Sequence, residues 1–113
     1  MNDVTKEIEI NIEEAKGFIN LAGQLDSLFL NPDFKAIMLE GFFKDEAVRL
    51  VHLKGDPSMQ SAEKQASILR EMDGIGTLKG YFSVIYHKAM MAQNAIEADE
   101  EELELLRNGG DDE

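Results

Sequence analysis

The sequence predicts an all-α protein, a three-segment helical hairpin or bundle whose long C-terminal helix is kinked and ends in an acidic tail. Three observations carry that prediction. Apolar residues return every three or four positions through most of the chain, the period of a helix face. The only two prolines, Pro32 and Pro57, each follow an Asx residue and divide the chain into three pieces. Cysteine is absent, which excludes a disulfide framework and thiolate zinc sites. The length of 113 residues allows one domain at most. The pattern places a single helical domain over 1–107, with helices at about 5–30, 32–54 and 61–106, and a flexible acidic tail over 108–113.

In the first piece, Ile8, Ile12, Ala15, Ile19, Ala22 and Phe29 form a heptad seam broken only by Asp26. A second stripe, Phe18, Leu21, Leu25 and Leu28, widens the apolar face, so the C-terminal half is expected to be the more buried part. Glu7 to Ile12 also alternates at period two, as a strand would. The alternation stops at Glu13 while the helical period runs on, which favours helix.

The second piece opens on Asn31 as N-cap and Pro32 at the first helical position, with Asp33 beside the positive helix end. Phe34, Ile37, Met38, Gly41, Phe42 and Val48 mark one stripe, and Leu39, Phe43, Ala47, Leu50 and Val51 another, so this helix is expected to pack centrally. Gly55 and Asp56-Pro57 end it.

The third piece, capped by Ser58 or Ser61, carries Ile68, Met72, Ile75, Phe82, Ile85, Ala89, Ala92, Ile96, Leu103 and Leu106 at helical spacing. Unbroken, it implies a helix on the order of 65 Å long. Gly74, Gly76 and Gly80 fall inside it, each up to ~1 kcal/mol worse than Ala in a helix. A kink or break is therefore expected between Asp73 and Gly80, marking a bend or a close helix crossing. The Glu97–Leu106 end is expected to project from the core.

Charge is distributed unevenly. Residues 97–113 hold nine acids against Arg107, and residues 1–16 hold five acids and two bases, whereas the stretch between is nearly neutral. The net of −12 therefore sits almost wholly at the two ends. Such a chain suits a protein partner with a basic surface and not a phosphate backbone, so direct nucleic acid binding is not expected. Neither His52 nor His87 belongs to a metal-binding spacing, and the run from Gly74 to Gly80 lacks the spacing of either phosphate loop. No catalytic residue, cofactor or metal site is expected. The N-terminal residues lack a signal-peptide pattern, and no apolar run approaches the roughly 20 residues of a transmembrane segment, so a soluble chain is expected.

The candidate partner-binding residues are Glu97, Glu100, Glu101, Glu102, Leu103, Glu104 and Leu106, an amphipathic acidic arm suited to a basic, partly apolar groove. Met90 and Met91 join them, because adjacent residues on a helix face different ways and at least one looks outward. A homo-oligomer stays open, since the heptad seam and the third helix can pair within one chain or between chains.

The stretch Asn31-Pro32-Asp33-Phe34-Lys35, then Gly41-Phe42-Phe43-Lys44-Asp45-Glu46-Ala47, Arg49-Leu50-Val51 and Asp56-Pro57, followed by Gly74-Ile75 and Tyr81-Phe82, resembles small helical head-vertex (portal) assembly chaperone-like proteins of tailed bacteriophages. The likeness covers about half the chain, Asn31 to Tyr86. It implies a non-enzymatic chaperone or scaffold-like protein that binds a portal or head subunit in the host cytoplasm. No functional residue is carried over from it. The charge map leaves two other functions open: an acidic inhibitor that mimics DNA against a host nucleic-acid enzyme, and a structural virion component.

Overall fold

The computed structural model describes residues 2–111, with side chains described over 3–109. Its elements are α1 (Asn2–Leu30), α2 (Pro32–Phe34), a π-helical segment (Lys35–Glu46), α3 (Ala47–Gly55), a 3-10 turn (Pro57–Met59) and α4 (Ala62–Asp111). The all-α expectation holds, and no strand occurs among the described residues. Contacts group the chain into two compact units: a terminal unit of Met1–Gln24 with Val84–Glu113, and a central unit of Leu25–Ser83.

In the terminal unit, Ile8, Ile12 and Ala15 of α1 are buried with Ala92, Ile96 and Leu103 of α4, and Ile19 and Leu106 pack against them. Residues early in α1 neighbour residues late in α4, so the two helices run antiparallel here. Ile10, the middle apolar residue of the period-two run, is 58% exposed while Ile8 and Ile12 are buried. That is the signature of a helix. The expected deeper burial toward the C-terminal half of α1 does not occur: Phe18, Leu21 and Leu28 are each more than 40% exposed. Leu25, and not Asp26, continues the buried face after Ala22. The one-residue shift leaves the Asp26 carboxylate on the exposed side, avoiding the desolvation of a charge.

The arm expected to project is instead packed. Leu103 is buried and Leu106 half-buried against α1, because Ala92, Ile96, Asp99, Leu103 and Leu106 continue a four-three spacing through the acidic stretch. Apolar burial on that face outweighs the repulsion of carboxylates that remain in water. Likewise α4 runs past Arg107 to Asp111, so residues 108–111 of the expected tail are helical, and Asp112 and Glu113 lie outside the described residues. With no proline there to stop it, extending an existing helix is far easier than starting one.

In the central unit, Asn31 caps as expected: its Oδ1 accepts from the backbone N–H of Asp33 at 2.9 Å and of Phe34 at 3.0 Å. The expected single α-helix is then corrected over Lys35–Glu46, which is π-helical. Its inward residues are Phe34, Met38 with Leu39, Phe42 with Phe43, and Ala47, a return of four to five positions. The i→i+5 bonding of a π-helix widens the turn to about that period and keeps these side chains on one face. Nor does this helix pack centrally, for Ile37 is 68% and Val51 60% exposed. Only one side is covered, where Leu50, Ile68 and Ile75 form the buried core with Phe42, Phe43, Leu53 and Met72 around it. Phe82 lies 5.6 Å from Phe29, 6.3 Å from Phe34 and 5.8 Å from Phe43 between ring centroids.

The turn into α4 is closed by side-chain amides. Nε2 of Gln60 and of Gln65 both donate to the Lys54 carbonyl, at 3.0 and 2.9 Å, satisfying a helix end that would otherwise lack a partner. Ser61 caps α4, its Oγ accepting from Lys64 N–H at 3.3 Å. The break expected between Asp73 and Gly80 is absent, since α4 is continuous through all three glycines. No close crossing explains them either: a Cβ at Gly74, Gly76 or Gly80 would meet nothing within 4 Å. Packing of Ile68, Met72 and Ile75 holds the helix despite its weak propensity.

Candidate functional site

The antiparallel pairing brings both acidic chain ends into the terminal unit. Over its described residues that unit holds twelve acids against four bases, a net of −8 of the chain's −12. Its charge is therefore far denser than the linear sequence implies.

The nine candidate residues separate onto different faces of α4. Met90, Glu97, Glu101 and Glu104 recur at spacings of seven, four and three, which aligns them on one outward stripe. Met90 is 58% exposed and the three glutamates are exposed. Glu100 lies toward the seam, beside Leu103, Arg107, Glu9, Glu13 and Lys16, where Lys16 Nζ pairs with Glu13 at 3.4 Å. Met91 and Glu102 fall on the other flank. Leu103 is buried and Leu106 is half-buried against the core, so neither presents a free apolar surface. Leu105, a leucine of the arm outside the candidate set, is 66% exposed. Its position two residues after Leu103 places it outside the buried spacing.

On Met91's flank an open groove of about 330 Å³ is lined by Ala15 and Phe18 of α1 and by Met91, Ala92 and Ala95 of α4, with Glu14 and Lys88 among its polar residues. The Lys88 ammonium lies 5.7 Å from the Phe18 ring centroid, a cation–π contact. Sequence reasoning missed this groove. The signal was present in Val84, Lys88, Met91 and Ala95, which repeat at four, three and four beside the main seam.

Titratable groups with displaced pKa values lie in the central unit. Hydrogen bonding from Arg49 holds the Glu46 carboxyl below the usual carboxylate range. The Ser58 hydroxyl and backbone N–H, which bond Asp56 Oδ1 at 2.7 and 2.8 Å, lower Asp56. Both arrangements are local and structural. Among the described residues no three His, Asp or Glu side chains converge as a metal site would require, and no helix is long and apolar enough to cross a membrane.

No protein-family model matches the chain, and neither a curated protein nor a solved structure matches it.

Proposed function

We propose that this chain is a non-enzymatic assembly chaperone or scaffold-like protein of the tailed-bacteriophage head-vertex class, binding a basic surface on a portal or head subunit in the host cytoplasm. The observation that carries the reading is the outward stripe Met90, Glu97, Glu101 and Glu104 on α4. Its inner side is held on α1 by Leu103 and Leu106, so the acidic face is presented on a supported helix and not on a loose tail. A preformed face binds with little ordering entropy, and its charges speed encounter with a basic partner more than they add affinity. Reversible cover of an assembly surface needs that combination of fast capture and ready release.

The test is co-purification of the tagged chain from cells making the portal and head subunits, with bound proteins identified by mass. A portal or head subunit is expected at low salt. Its recovery should fall steeply with added salt and with Glu97, Glu101 and Glu104 replaced together by Gln. Copurification that ignores both changes would sink the acidic-face reading.

A second reading gains from the convergence of the two acidic ends. A net of −8 gathered in one helical hairpin suits an inhibitor that mimics DNA against a host nucleic-acid enzyme. It requires that duplex DNA displace the chain from that enzyme, which the assembly role does not. A structural virion component would instead appear in purified particles at fixed copy number.

A further inference from the structure

We draw no further inference here: the strongest candidate, the open apolar groove between α1 and α4 on the Met91 flank of the terminal unit, is an unpartnered face, and nothing in the structure shows what covers it.

Discussion

Arg49 grips Glu46 across the junction where the π-helical segment gives way to α3, its Nε donating to both carboxylate oxygens at 3.1 Å. The residues are three apart, and the fork of the guanidinium matches the carboxylate edge. Glu46 closes the wide turns and Arg49 stands in the first turn of regular α-helix. The pair thus ties the last π residue to the α-helix that follows.

That contact makes a pH prediction. Because the Arg49 hydrogen bond lowers the Glu46 pKa in the folded chain, its stabilisation is fully present above the unfolded carboxylate value of about 4.3. It is lost as pH falls through the lower folded value. A carbon-detected titration should place the Glu46 midpoint below the ordinary glutamate range, and Arg49→Leu should return it there. Arg49→Lys should recover only part of the shift, since an ammonium lacks the two-pronged geometry. An ordinary midpoint in the wild-type chain would remove the junction pair from the account.

The glycines divide into two kinds, with opposite consequences. At Gly74, Gly76 and Gly80 a Cβ meets nothing within 4 Å. Replacing any of them by Ala should stabilise the protein by about 0.5–1 kcal/mol, from the lower entropy of the unfolded chain. At Gly41, inside the π-segment, a Cβ would sit 3.1 Å from the Ala36 carbonyl oxygen, which must yield. Gly41→Ala should therefore be no more stable than wild type. Thermal unfolding of the four single variants decides it: equal gains at all four positions would mean that the wide turn does not constrain Gly41.

Much of this architecture is legible in the sequence because its rules are local. Asn31-Pro32-Asp33 announces its cap, and the Ile8, Ile12, Ala15 seam announces the buried face of α1. The features that escape depend on packing beyond one turn. Gly74 to Gly80 signals a weak helix, but Met72 and Ile75 anchor it from one side. The π-segment hides because its four-to-five period reads as two overlapping α stripes. In the acidic arm the spacing of Ile96, Leu103 and Leu106 was visible, yet the density of surrounding carboxylates points the eye toward solvent. The candidate partner-binding residues divide among three sides of α4 for the same reason: spacing, and not composition, decides where each one looks.

That division predicts a sharp contrast between neighbouring leucines. Leu103 is 7% exposed in the terminal core, so Leu103→Ala should cost about 2–5 kcal/mol in chemical unfolding. Leu105 is 66% exposed, and Leu105→Ala should change stability by no more than about 0.5 kcal/mol. Similar losses at both positions would place the arm differently against α1.

The outward acidic stripe should trade stability for binding. With twelve acids gathered in the described residues of the terminal unit against four bases, the carboxylates of α4 repel one another and those of α1. Raising salt should therefore stabilise the free chain against urea, because exposed charges are screened within about 10 Å at 0.1 M. Replacing Glu97, Glu101 and Glu104 together by Gln should produce part of that gain at low salt and reduce its salt dependence. The same triple variant should bind a basic partner more slowly, with the loss concentrated in the association rate. A variant both more stable and slower to bind shows that these acids are kept for recognition and opposed by folding. A triple variant no more stable than wild type at low salt would remove self-repulsion from the argument.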